Sequence, residues 1–345
     1  QWVGGIGIVA MAVAVLPLLK VGGMQLMSRE SSDTSDKILA RPRELATWLL
    51  SVYLGLTVLT AIAYGMTGMS GFESLNHAMT TVSTGGYSTH DASFGAFSPA
   101  AQWVSVVFML AGAVPFLWYV QLVRGTSGFV PWSQIPPMLG VVVVGGLILA
   151  YTAIQNDHAP LDAIRHGIFT VASVITTTGY ASYDWQNWGP LAASTVLMLT
   201  FCGGCTGSTA GAVKIFRWQI LIRRFRIIVQ EMIRPHRVIA QVYQSRPVSP
   251  EVVQGVTAFI LLLGGVTSLT TVALTATGVD LVTAFSGAAT AITNVGPALG
   301  GIAGPSGTFA PLPDAAKWIL SFAMLLGRLE LLTVLVMLDP GFWRR

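Results

Sequence analysis

Charge is what this 345-residue chain has least of: Asp, Glu, Lys and Arg together make up 10% of it against 53% hydrophobic residues, and the mean hydropathy is +0.66. A soluble domain carries about a quarter charged residues, so most of this surface is built for lipid. Cysteine is nearly absent. Cys202 and Cys205 stand as C-x-x-C inside an apolar segment, one pair short of a four-thiolate zinc site and far from any βαβ pattern, and they read as small packing residues. The motifs of hydrolytic chemistry are missing too. There is no H-E-x-x-H or G-x-S-x-G, and His77, His90, His158, His166 and His236 are scattered without ligand spacing. Lys214 lacks the Gly before it and the Ser or Thr after it that a phosphate-binding loop needs. No enzyme and no covalent cofactor are expected. The chain opens at Gln1 without a charged leader and enters an apolar helix pattern directly, so no signal peptide is expected there and the natural N-terminus is expected to lie upstream.

What is present is length of apolar sequence. A span needs about 20 apolar residues, and stretches that qualify begin near Trp2, Leu45, Ala101, Pro136, Leu191, Val252 and Ala315, which predicts seven spans. Shorter apolar stretches near Leu75 to Thr84, Ile164 to Thr178 and Leu281 to Thr293 each end in Gly-containing sequence. Their length predicts re-entrant helices.

The few charges are sorted. Basic residues gather from Lys20 to Arg43, at Arg124, from Arg217 to Arg246, and at Arg344 and Arg345; cytoplasmic loops carry such an excess. The intervening segments hold Glu73, Asp91, Asp157, Asp162, Asp184, Asp280 and Asp314 against Arg165 and Lys317. An acidic outer mouth concentrates cations and repels anions. The net charge of +4 follows from the inside bias, so no nucleic-acid partner is expected; the partner that composition implies is membrane lipid.

One pattern recurs: span, short apolar helix, hydroxyl-and-glycine turn, span. The first copy carries Ser83-Thr84-Gly85-Gly86-Tyr87 and the second Thr176-Thr177-Thr178-Gly179-Tyr180, sharing Ser/Thr, Thr, a small residue, Gly and an aromatic. The third reads Thr293-Asn294-Val295-Gly296-Pro297, and Gly86, Gly179 and Gly296 align. The Trp2 to Leu19 span before them is the closing helix of a further unit, implying four. The fold expected is therefore all-α and polytopic, with helix, pore loop, helix units in a pseudo-fourfold arrangement around one ion pore. Its parts are 1–44 (closing helix of the first unit and a cytosolic loop), 45–134, 135–250 and 251–345.

Irregular backbone at membrane depth survives only where protein or a water-filled lumen satisfies it. Glycine allows carbonyl oxygens to turn inward, and rings of carbonyls replace the hydration shell of a potassium ion. The short helices add their negative C-terminal ends. Candidate ion-binding residues are Thr84, Gly85, Gly86, Thr177, Thr178, Gly179, Asn294, Val295 and Gly296, with K+ as both bound and transported ion and backbone carbonyls as the main ligands.

Two features look like a gate. The segment from Phe201 to Lys214 holds Gly203, Gly204, Gly207 and Gly211, too many for an unbroken helix. Arg328 sits in the last span, where a buried charge is costly and marks a functional position; facing the lumen, it would repel a passing cation, and Lys214 would do the same.

These residues carry a resemblance to the TrkH-type subunits of the Trk/Ktr/HKT superfamily of potassium transporters, from end to end. Its specific pieces are Gln1-Trp2-Val3-Gly4-Gly5-Ile6-Gly7, Val21-Gly22-Gly23-Met24-Gln25-Leu26, Ser83 to Thr89, Gly203 to Thr209, Asn294-Val295-Gly296-Pro297 and Leu326-Gly327-Arg328-Leu329-Glu330. The resemblance implies potassium uptake across a bacterial inner membrane by a homodimer, controlled by a cytosolic ring of nucleotide-binding RCK domains that the stretch from Arg217 to Arg246 would contact. It also implies that Gly86, Gly179 and Gly296 are filter glycines, that Gly203 through Lys214 form an intramembrane gating loop, and that Arg328 is the pore arginine. Two departures stand out: the first filter segment is absent from this sequence, and Ala210 and Ala212 stand where the family more often has Gly, which would stiffen the loop. The alternative is a sodium-permeable or ion-coupled (Na+ or H+) potassium symporter on the same scaffold.

Overall fold

The computed structural model describes residues 1–7, 42–125, 133–234, 239–243, 246–329 and 331. The expected span from Trp2 to Leu19 beyond Gly7, the basic stretch from Lys20 to Arg41, the Val21 to Leu26 motif, His236, Arg237, Glu330, Arg344 and Arg345 lie outside them. Residues 2–7 are helical. The helices that follow are α1 (Pro42–Met66), α2 (Gly71–Val82), α3 (Pro99–Gly112), α4 (Phe116–Arg124), α5 (Ile135–Ile154), α6 (Pro160–Ile175), α7 (Pro190–Leu199), α8 (Ile215–Ile233), α9 (Pro250–Thr275), α10 (Leu281–Thr293) and α11 (Asp314–Arg328). The all-α expectation needs one small amendment, an antiparallel pair between β1 (Val242–Tyr243) and β2 (Arg246–Pro247).

Among the described residues, α1, α5 and α9 contain stretches long and apolar enough to cross a membrane. The three re-entrant helices are present: α2, α6 and α10 have 12, 16 and 13 residues. At 1.5 Å per residue that is about 18–24 Å, short of the roughly 30 Å hydrocarbon core. Each packs back on the span before it, α2 on α1, α6 on α5 and α10 on α9.

Polar caps set the starts of α2 and α10, and a proline that of α6. Ser70 and Glu73 form a reciprocal capping box on α2, with Ser70 N–H donating to Glu73 Oε2 at 2.9 Å. Pro160 opens α6, with Asp162 in its first turn. Asp280 caps α10 by accepting from Thr283 N–H at 3.0 Å. Hydrogen bonds from the Thr283 backbone and hydroxyl hold the Asp280 carboxyl below the usual carboxylate range. A depressed folded pKa contributes stability above the unfolded value that is lost as pH falls through the folded one. Asp280→Ala is therefore expected to cost about 1 kcal/mol at neutral pH, the usual value of an N-cap, with the penalty shrinking in acid; thermal melts of the purified protein at neutral and acid pH read both.

Two expected spans are broken. The one near Leu191 ends at Leu199 after a 10-residue helix and resumes as α8 beyond the glycine-rich loop, as the glycines predict. The one near Ala101 is not continuous either: α3 and α4 meet at an 87° bend. Pro115 lies at this break, between Gly112 and Phe116, and a proline removes a helical donor and clashes with the preceding turn. The span near Ala315 begins as α11.

Candidate functional site

The three turns that close α2, α6 and α10 have one backbone geometry. Gly85 N–H donates to Thr80 O at 2.7 Å, Thr178 N–H to Ser173 O at 2.9 Å and Val295 N–H to Thr290 O at 3.1 Å, each six residues closing to one. Inside each, Thr84 donates to Thr81 O, Thr177 to Val174 O and Asn294 to Ala291 O at 3.0–3.2 Å. This is the Schellman helix ending, made three times in register. Its left-handed position is held by Thr84 (φ 49°), Thr177 (φ 56°) and Asn294 (φ 58°). For β-branched threonine that conformation is a genuine outlier, of the kind that persists where function over-determines the backbone. Two residues on, Gly86, Gly179 and Gly296 take φ of 73°, 83° and 116°.

The turns meet one another. A Cβ at Gly86 would run into Thr178 O, and one at Gly179 into Val295 O. Gly86 and Gly179 thus each back onto the carbonyl that precedes the glycine of the next unit. Between them lies a cavity of about 870 Å³ whose walls include Thr84, Gly85, Gly86, Thr178, Gly179, Asn294, Val295 and Gly296. Thr177 is not among these walls: its hydroxyl accepts from Gly211 N–H at 2.6 Å, so it faces the loop. Gly85 O is also engaged, accepting from Gln1 Nε2 at 3.0 Å.

The glycine-rich segment is stitched at its base: Gly203 N–H donates to Val213 O at 2.8 Å and Ile215 N–H to Gly204 O at 3.2 Å. From there it reaches the inner end of every turn. The Thr209 hydroxyl lies 3.1 Å from Val82 O and 3.0 Å from Gly112 O and donates between them. Ala212 N–H donates to Thr293 O at 3.1 Å. The loop also fills the break between α3 and α4, with Cys205 N–H donating to Ala113 O and Phe116 N–H to Gly207 O, both at 3.0 Å. Backbone groups freed by two broken helices satisfy each other, which is how such segments persist at membrane depth. Ala212 takes φ of 52°, so the alanine that stands where glycine is usual is held in a strained conformation.

Arg328, the last residue of α11, lines the cavity and donates from Nη1 to Thr209 O at 3.2 Å. Gly327 lets it approach, since a Cβ there would meet the Ile292 backbone. Lys214 is not in the cavity walls; its Nζ donates to Ala210 O within the loop. Arg217 does not extend from a basic surface either. It is 3% exposed, with its guanidinium 3.9 Å from the Phe259 ring centre.

The outer carboxylates are largely committed locally. Glu73 pairs with His90 at 2.7 Å, Asp162 with Arg165 at 2.5 Å and Asp314 with Lys317 at 3.1 Å. The His90 bond, with those from Ser70, holds Glu73 down at about 2, so it stays ionised in the first turn of α2. Sequence reasoning missed Thr80, Ser173 and Thr290, the hydroxyls one turn before each helix end. Thr80 Oγ1 donates to Tyr87 O at 2.9 Å, Ser173 Oγ to Tyr180 O at 2.7 Å, and Thr290 Oγ1 accepts from Gly296 N–H at 2.8 Å. Their hydroxyls at matching offsets from the three glycines were the available signal.

Comparison with known proteins agrees with this geometry. A family model described as TrkH, cation transport protein, matches residues 1–131 and 151–341. The chain is 44% identical over 348 residues to the Trk system potassium uptake protein TrkI of Halomonas elongata, covering all of this chain and 71% of that one. It is 34% identical over 353 residues to TrkH of Escherichia coli, covering 72% of it. The crystal structure of the potassium transporter TrkH from Vibrio parahaemolyticus superposes with a TM-score of 0.88 at 32% identity, over 99% of this chain and 71% of that one. The family is one of transporters, not enzymes, and this chain belongs to it: it is a member of the TrkH family of cation transport proteins.

Proposed function

We propose that this chain takes up potassium across the bacterial inner membrane, as a multi-pass protein whose three glycine turns form part of a carbonyl-lined filter. The observation that carries this reading is the repeated turn: three helix endings of the same geometry, with Gly86 and Gly179 each set against the next unit's carbonyl, around one shared cavity. Negative helix ends, inward carbonyls and an ionised outer Glu73 all favour a cation. The names of the relatives, potassium uptake proteins of a Trk system, support potassium as the ion.

In this reading Thr84 to Gly86, Thr178 to Gly179 and Asn294 to Gly296 supply the ion's ligands, while Thr177 anchors the loop. The units 45–134, 135–250 and 251–345, with a further unit that 1–44 closes, surround the path in pseudo-fourfold fashion. The Gly203 to Lys214 loop is the gate: Thr209 and Ala212 occupy the helix-end carbonyls, and Arg328 clamps the loop while placing a positive charge on the path. Two such subunits pair, and a cytosolic nucleotide-binding ring of RCK type moves the loop from the side of α8, where Arg224, Arg226 and Arg234 lie.

The test is flux into proteoliposomes of the intact transporter. Rubidium, standing in for potassium, is expected to enter at least about tenfold faster than sodium, the ratio that a difference of roughly 1.4 kcal/mol in coordination produces. Equal entry of both ions would overturn the potassium reading.

A further inference from the structure

Behind the turns runs a chain of hydroxyls that the ion path does not touch. Tyr180, just after Gly179, is 2% exposed, whereas its counterpart Tyr87 is 66% exposed and the third position is Pro297. The Tyr180 hydroxyl lies 2.6 Å from Thr80 Oγ1, 3.2 Å from Thr81 Oγ1 and 3.3 Å from His77 O, all on α2 of the neighbouring unit. Thr80 Oγ1 also reaches Tyr87 O, and Thr81 Oγ1 lies 2.8 Å from the Tyr64 hydroxyl on α1. At its other end Tyr180 is held by the Ser173 bond to its carbonyl. The ring is wedged against Phe94, with centroids 4.5 Å apart, and against His77 at 6.2 Å. One side chain therefore joins the second turn to the helix, and through Thr80 to the backbone, of the first.

We propose that Tyr180 is a positioning residue for ion discrimination: its hydroxyl latches the second filter turn to the first and holds the spacing between the Gly86 and Gly179 stretches. This rests on the filter reading above. A smaller cation must draw the carbonyls closer than potassium does, so a latch that resists closure penalises sodium more. Because the bonds are buried and linked, their effect is concentrated in one hydroxyl. The asymmetry among the three units is part of the inference: with Tyr87 exposed and Pro297 unable to make such a bond, the latch belongs to one side of the ring.

Tyr180→Phe removes the hydroxyl and keeps the ring. In proteoliposomes of the intact transporter its rubidium-over-sodium flux ratio is expected to fall about fivefold, the factor that one net buried hydrogen bond of roughly 1 kcal/mol represents. The melting temperature should change little. Phe94→Leu serves as the comparison, since it loosens the same ring cluster without touching a hydroxyl; it is expected to lower the melting temperature and leave the ratio alone. An unchanged ratio in Tyr180→Phe, alongside altered flux in Gly179→Ser, would overturn the latch with the filter intact. A ratio shifted equally by Phe94→Leu would also overturn it, assigning the effect to packing. If Gly179→Ser left flux untouched as well, the filter reading itself would fall, and the latch with it.

Discussion

Gly179→Ser is expected to reduce rubidium flux by at least about tenfold without preventing the protein from folding, through two additive costs. The first is conformational: at φ of 83° a side chain pays about 1–2 kcal/mol that glycine avoids. The second is steric. A Cβ there would overlap Val295 O, lie 3.2 Å from Val295 C and 3.3 Å from Pro297 Cδ, and those atoms belong to the next glycine turn. Both costs are relieved by moving the second turn away from the third, which displaces Thr178 and Val295 carbonyls together. Overpacking of this kind costs about 1–3 kcal/mol, and because it falls on the proposed ion ligands, flux is expected to suffer more than stability. Gly140 is the natural comparison: it lies on α5, and a Cβ there meets nothing within 4 Å. Gly140→Ser should leave flux within about twofold, as surface changes away from special geometry are nearly neutral. Equal loss at both positions would remove Gly179 from the filter.

Arg328→Ala is expected to move flux the other way, raising it at least about tenfold and up to about a hundredfold in transporter held without a cytosolic partner. At an effective dielectric constant of about 20, a unit charge about 5 Å from a cation's path opposes it by roughly 3 kcal/mol. Removing the guanidinium lifts that barrier. It also removes the donor to Thr209 O, so the loop loses its tie to α11 while keeping those to Val82 O, Gly112 O and Thr293 O. The two effects separate with Arg328→Lys, which keeps the charge on a shorter, single-headed side chain. If charge is the barrier, the lysine variant stays slow. If the clamp on Thr209 matters more, lysine and alanine behave alike. A fall in flux for alanine, with the protein still folded, would mean that Arg328 supports the open path and does not obstruct it.

The helix pattern of the candidate site was legible because its signals are local. Span length, the period of apolar residues and the recurrence of Thr, Gly and Tyr around 84–87 and 177–180 all sit within a few residues of one another, and each follows from how a backbone satisfies itself in lipid. The third turn was legible only by its glycine and its place after a short helix; the shared geometry of Asn294 with Thr84 and Thr177 belongs to the backbone, since Thr and Asn have unlike side chains but here adopt the same left-handed φ. The break at 113–115 was harder to read. Gly112 and Pro115 were visible, but in an apolar run they do not by themselves separate a kink from a right-angle bend. What makes the bend stable is Cys205 and Gly207, some 90 residues away in sequence. The same holds for Thr177, which its motif makes a ligand and the packing turns toward Gly211.

The amino-acid sequence alone determined that this protein lives in lipid and which helices are too short to cross it, because lipid leaves a chain so few ways to bury its polar backbone. It also set the three glycines and the broken helix below them, since only those residues tolerate the conformations required. Tertiary structure decided what faces what: that Gly86 and Gly179 lie against the next unit's carbonyl, that the loop reaches the inner ends of α2, α6 and α10, that Arg328 holds Thr209, and that Tyr180 crosses to Thr80. Those contacts join residues from about 30 to over 120 positions apart, and no local rule of propensity or period reaches that far. They exist because hydroxyls and carbonyls buried without water must find partners wherever the packing brings them.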